Sequence, residues 1–146
     1  MEKHSIYADH AATTSLSQTA LEAMMPYLTN LFGNPSTAYS MGRKAKKAVE
    51  VSRGEIAQCL GAEAREIFFT SGGSEADNWA LKGAAHAMRK QGKNHIITSR
   101  FEHHAVLHTC AALEREGFSV TYLNVHENGI VRPEELARAI GESTGL

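Results

Sequence analysis

Among 146 residues there are only two cysteines, Cys59 and Cys110, and three prolines. Two cysteines make no disulfide framework, and neither belongs to a Cys-x-x-Cys pair, so the common redox and zinc patterns are set aside. Each falls on the apolar face of a predicted helix, where a free thiol is expected as a small buried hydrophobe. No charge of one sign dominates: fifteen Lys and Arg stand against sixteen Asp and Glu, for a formal net charge of −1. That balance leaves no basic excess for a phosphodiester backbone, and nucleic acid is not an expected partner. No apolar run approaches the roughly 20 residues of a membrane-spanning helix, so no membrane association is expected. Met1-Glu2-Lys3-His4-Ser5 has neither a hydrophobic signal core nor an Arg-rich amphipathic pattern. No targeting segment is therefore expected, and the cytoplasm is the expected location.

What is present is an ordinary globular composition, 42% hydrophobic and 21% charged. Disordered and collagen-like chains are excluded on that ground. Ser5 to Ala8 is a short strand-like run that breaks into the polar stretch Asp9 to Thr14. A helix is predicted from a cap at Ser17, with Ala20, Leu21, Met24, Met25 and Leu28 on one face. Gly33-Asn34-Pro35-Ser36 marks a loop between Leu31 and Ser40. The next predicted helix runs from Gly42 to Leu60, apolar at Ala45, Ala48, Val49, Ser52, Ile56 and Leu60, and Gly61 stops it. The basic residues on its other face are most simply a solvated surface.

Beyond Gly61 the period changes. Glu66 to Thr70 is a short bounded apolar run and is predicted as a buried strand. A glycine turn leads into a helix from Glu75 to Lys90. A strand at His95 to Thr98, a helix carrying Val106, Thr109, Cys110 and Leu113, and a strand at Ser119 to Val125 follow. Pro133 opens a last helix that ends at Gly141. Strand and helix alternating with short links predict an α/β fold with parallel strands joined by right-handed crossovers. Three strands make a small sheet, and the chain stops at Ser143 to Leu146, where a fourth would be expected, so the domain is expected to be incomplete. The expected organisation is residues 1–61 as an arm with two helices, and 62–146 as the first part of an α/β domain.

The most informative segment runs from Phe69 to Asp77 through Ser71-Gly72-Gly73-Ser74. A strand that passes through two glycines into a helix start is a ready anion site, because the first helical turn leaves N–H groups unpaired and carries partial positive charge. Gly72 and Gly73 permit close approach, and the Ser71 and Ser74 hydroxyls can donate. The segment is neither a Walker loop nor Gly-x-Gly-x-x-Gly. A simple capped helix, with Ser74 and Asp77 as a capping box, explains the same residues. Three histidines cluster after the next strand: His103, His104 and His108. An imidazole at a strand end can stack on a planar ligand and move a proton near neutral pH. His104 and His108 share a helix face and raise a zinc reading, but the spacing lacks further ligands and no metal site is expected.

In order along the chain stand Tyr7 to Thr14, Phe32 to Ser36, Phe69 to Asn78 and Glu102 to Leu107. This ordered set resembles the N-terminal part of a cysteine desulfurase of the class V aminotransferase family, which uses pyridoxal phosphate. The similarity continues through Glu116 to Tyr122 and Asn128 to Ile130. Members of that family are over twice this length. The resemblance implies part of the large domain of the fold type I pyridoxal-phosphate enzymes. It implies that Gly73 and Ser74 bind the cofactor phosphate, and that His103 stacks on the pyridine ring as candidate catalytic acid–base. It gives Asp9 to Thr14 and Asn34 to Ser36 supporting places near the substrate entrance, and gives His104 and His108 no metal.

The resemblance further implies conversion of L-cysteine to L-alanine, with sulfur passed as a persulfide to an acceptor protein for iron–sulfur cluster assembly or tRNA thiolation, in a homodimer. The lysine that carries the cofactor, the Asp paired with the pyridine nitrogen, the Arg for the substrate carboxylate and the persulfide cysteine have no counterparts here. None of the seven lysines has the required Ser-x-His-Lys setting. Gly73 and Ser74 stand where Ala and Thr are common, and Tyr39 where a histidine often follows the Asn-Pro-Ser loop. The 146-residue chain alone is expected to be inactive. A non-enzymatic dimerising module and a related enzyme such as a selenocysteine lyase are the alternatives.

Overall fold

The computed structural model describes residues 6–146. They divide into two compact units, one ending at Phe68 and the other running from Phe69 to Leu146. No helix among the described residues is long and apolar enough to cross a membrane.

In the first unit, Ser5 of the strand-like run lies outside the described residues, and Ile6 to Ala8 form no strand. The Tyr7 hydroxyl instead meets the carbonyls of Asp9 and Thr13 at 2.8 and 3.1 Å, and the chain turns. Helix α1 spans Gln18–Thr29, and the Ser17 Oγ accepts the Ala20 N–H at its start. Its predicted apolar face, including Met24, Met25 and Leu28, stays exposed. Helix α2 spans Ser40–Leu60 and ends as expected at Gly61, which adopts the left-handed conformation at φ 66°.

The loop before α2 packs tightly on the helix start. Asn34 accepts the Ser36 N–H through Oδ1, and the Thr37 N–H and hydroxyl through its carbonyl. This folded turn sits so close that a Cβ on Gly42 would lie 2.5 Å from the Thr37 carbonyl oxygen and 2.7 Å from that of Asn34. The buried face of α2 is Gly42, Ala45 and Ala57, whereas Ile56 and Leu60 are exposed. Cys59 is exposed too, contrary to the expected burial.

The strand predicted at Glu66 to Thr70 does not form. Ala64–Glu66 is a single 3-10 turn, closed by the Glu66 carboxylate accepting the Glu63 N–H at 2.8 Å. The carbonyl of Ile67, which a ladder would use, accepts from the Arg53 guanidinium. An apolar run becomes a strand only where another strand supplies its hydrogen bonds. The run belongs to neither strand of the two-stranded sheet among the described residues.

The second unit follows the predicted alternation. It contains α3 (Gly73–Arg89), β1 (His95–Ser99), α4 (His104–Arg115), β2 (Ser119–Leu123) and α5 (Pro133–Ala139). The two strands are parallel, with His95 opposite Ser119 and Ser99 opposite Leu123. The other edge of β1 receives residues 143–146, where the chain is expected to stop short of a fourth strand. His95 bridges Thr144 in parallel, and the Ile97 N–H donates to the Leu146 carbonyl at 2.8 Å. The His95 ring joins all three segments, with Nδ1 2.8 Å from the Thr144 Oγ1 and Nε2 2.8 Å from the Thr121 Oγ1. Ala85, Ile96, Cys110, Leu113 and Phe118 form the core between α3, α4 and the strands.

Candidate functional site

The last turns of α3 and α4 lie together. The His86 Nε2 is 3.2 Å from the Glu116 carboxylate, and the Arg89 guanidinium donates to the Glu116 carbonyl at 2.8 Å while lying 3.8 Å over the Phe118 ring. Two helices joined at their C-terminal ends and packed side by side direct their N-termini the same way. Because α4 starts just after the carboxyl end of β1, Gly73 at the start of α3 and His103 before α4 open at that same end of the unit. In open α/β sheets this is the end where ligands bind.

At the first of these places Gly73 and Ser74 begin α3, and Gly72 is the cap residue in extended conformation. The expected capping box of Ser74 and Asp77 is not the arrangement found. The Glu75 carboxylate folds back instead, accepting both the N–H and the hydroxyl of Ser71 at 2.7 Å. The Ser71 hydroxyl, and after it the Ser71 N–H, hold the Glu75 carboxyl below its ordinary range. The Ser71 hydroxyl has one proton, and it is committed. The donors left at the helix start include the N–H groups of Gly73, Ser74 and Glu75 and the Ser74 hydroxyl. A Cβ on Gly72 or Gly73 would meet nothing within 4 Å, so the space before these donors is open. A phosphate group fits that setting, because unpaired amides at a helix start favour an anion. The Asn78 side chain donates to the Ser74 carbonyl at 2.9 Å and steadies the turn.

At the second place His103 caps α4, its Nδ1 accepting the Ala105 N–H at 3.1 Å. A neutral ring accepting at Nδ1 carries its proton on Nε2. Sequence reasoning missed both the cap role of His103 and the Glu75 contact; Ser71 and Glu75, four residues apart, were the available signal for the latter. His104 and His108 are exposed, their ring centres 5.4 Å apart. Among the described residues no group of three or more His, Cys, Asp or Glu could hold a metal ion. Cys110 is buried, and burial, followed by the nearby Glu114 and Glu102 carboxylates, pushes its thiol up, away from the reactive thiolate. The Asp9 to Thr14 and Asn34 to Ser36 segments belong to the first unit and are described there as turns.

The model of the family described as aminotransferase class V matches residues 6–146. Among curated proteins, the chain is 54% identical over 145 residues to "Cysteine desulfurase IscS" of Methanosarcina thermophila, covering 99% of this chain and 36% of that one. The chain thus spans about a third of the length of the curated relatives it matches. Among solved structures it is similar to a "NifS-like protein", at TM-score 0.85 and 40% identity over 93% of this chain and 37% of the other. A second similar structure, "SspA in complex with cysteine", has TM-score 0.84 and 43% identity, covering 94% of this chain and 40% of that one.

Proposed function

Because the chain belongs to the aminotransferase class V family, we propose that it is the N-terminal part of a pyridoxal-phosphate-dependent cysteine desulfurase. The whole protein takes L-cysteine to L-alanine and passes the sulfur, as an enzyme-bound persulfide, to an acceptor protein for iron–sulfur cluster assembly or tRNA thiolation. It works as a homodimer in the cytoplasm. The observation that carries this reading is the 54% identity to a cysteine desulfurase over nearly the whole chain. The structure solved with cysteine lends support to cysteine as the substrate of this protein too.

In this reading Gly73 and Ser74 hold the cofactor phosphate through their N–H groups and the Ser74 hydroxyl. His103 would stack on the pyridine ring, with its proton on Nε2 because Nδ1 accepts the Ala105 N–H. The cofactor, when bound, supplies an electron sink for chemistry at the substrate α-carbon, while the chain supplies position and charge. These 146 residues contain no lysine in the setting that carries the cofactor. They are therefore inactive by themselves.

Two measurements on the purified chain test this. Addition of pyridoxal phosphate should move the backbone amide resonances of Gly73 and Ser74 and the ring resonances of His103. Shifts confined to other residues would overturn the cradle. Incubation with L-cysteine should release no sulfide or alanine above a protein-free blank, and steady release would overturn the claim of inactivity.

A further inference from the structure

The turn before α3 contains two adjacent glycines, the least restrained residues of a chain. An anion site built on such a turn must either order it on binding or find it already ordered. Three side-chain contacts order it here. The Glu75 carboxylate takes the Ser71 N–H and hydroxyl, and the Thr70 hydroxyl donates to the Gly72 carbonyl at 3.1 Å. The Ala76 N–H donates to the same Gly72 carbonyl at 3.1 Å. In a trans peptide the carbonyl and the following N–H point opposite ways. Fixing the Gly72 carbonyl toward the helix therefore aims the Gly73 N–H outward, into the open space.

A carboxylate placed next to an anion site would ordinarily repel the anion. The Glu75 carboxylate instead turns back to Ser71, whose N–H and hydroxyl both donate to its Oε2. An N-terminal Glu that only caps its helix reaches back to the N–H of the cap residue. Glu75 reaches one residue further, past Gly72 to Ser71, and so restrains the segment that carries the glycines.

Resting on the phosphate assignment above, we propose that Glu75 is the positioning residue of this cradle: its double contact with Ser71 pre-orders the Gly72–Gly73 turn so that the Gly73 and Ser74 donors face the phosphate. A pre-ordered site binds more tightly because it loses less freedom on binding.

The test compares the unaltered chain with Glu75→Ala and Glu75→Gln, using inorganic phosphate and pyridoxal phosphate as probes and amide resonances as the readout. In Glu75→Ala, hydrogen-exchange protection of the Ser71 amide should fall, and the phosphate-induced shifts at Gly73 and Ser74 should need about tenfold more ligand. Glu75→Gln keeps an acceptor oxygen without the charge, and should restore both the Ser71 protection and the affinity. Equal or tighter phosphate binding in Glu75→Ala, with the circular dichroism of α3 unchanged, would overturn the role of Glu75 while leaving the cradle in place. Absence of any phosphate shift at Gly73 and Ser74 in the unaltered chain would overturn the cradle itself, and the positioning role with it.

Discussion

At the scale of single residues, small groups here are committed to contacts that decide what they have left to offer. His103 uses Nδ1 to cap α4, which leaves Nε2 as the one ring nitrogen available to a ligand. That residue was legible as a histidine at a strand end, but its cap contact was not, because Ser, Thr, Asp and Asn are the residues a sequence pattern seeks there. Tyr122 shows the same economy in the core region. Burial, then the hydrogen bond to the Glu114 carboxylate at 3.1 Å, pushes its phenol up to about 12. A phenol whose folded value lies above the unfolded one, near 10, stabilises the fold fully below about pH 10. That contribution fades as the pH rises from about 10 toward 12. Urea unfolding followed across this window should show falling stability, and Tyr122→Phe should remove the part of the fall that belongs to this residue. An identical decline in the variant would show that other groups cause it.

At the scale of elements, helices were legible where a stripe of small and apolar residues met clear stops. Thr109, Cys110 and Leu113 are buried on α4 as their spacing predicts. Gly61 ends α2 in the left-handed conformation. Burial within α2 was less legible. Its covered face follows Gly42, Ala45 and Ala57 rather than Ile56 and Leu60, and at its start the Asn34 turn packs against Gly42. Nothing in helical periodicity reports such a loop contact. Gly42→Ala should therefore destabilise the first unit by about 1–3 kcal/mol, since the new methyl meets backbone oxygens that cannot move independently. Thermal unfolding by circular dichroism would check this, and an unchanged melting temperature would mean that the turn yields easily. The Glu66 to Thr70 run failed as a strand for a related reason. Composition shows that a segment suits a sheet, whereas a partner strand decides whether it joins one. The Arg53 contact to Ile67 and the turn at Ala64–Glu66 are non-periodic features that a pattern search passes over.

For the molecule as a whole, family membership was legible in the order of four motifs that spread over both units, and not in any one of them. The proposed site was legible in part. Its helix start and histidine were visible, but the expected strand leading to the glycines was not found, and the Ser71 hydroxyl turned out to be engaged by Glu75. The His95 ring carries a consequence for how the second unit comes together in time. Its contact with Thr121 spans 26 positions and its contact with Thr144 spans 49. Closing the longer loop costs more chain entropy. During synthesis from the N-terminus, β1 can pair with β2 well before residues 143–146 leave the ribosome, and the imidazole waits with one nitrogen still hydrated. The contact between β1 and residues 143–146 then forms after β1 and β2 have paired. Thr144→Val, which removes the contacts from the His95 ring and the Gly141 N–H, should speed unfolding several-fold while leaving the refolding rate almost unchanged. A matching loss in refolding rate would instead place this contact at the start of assembly.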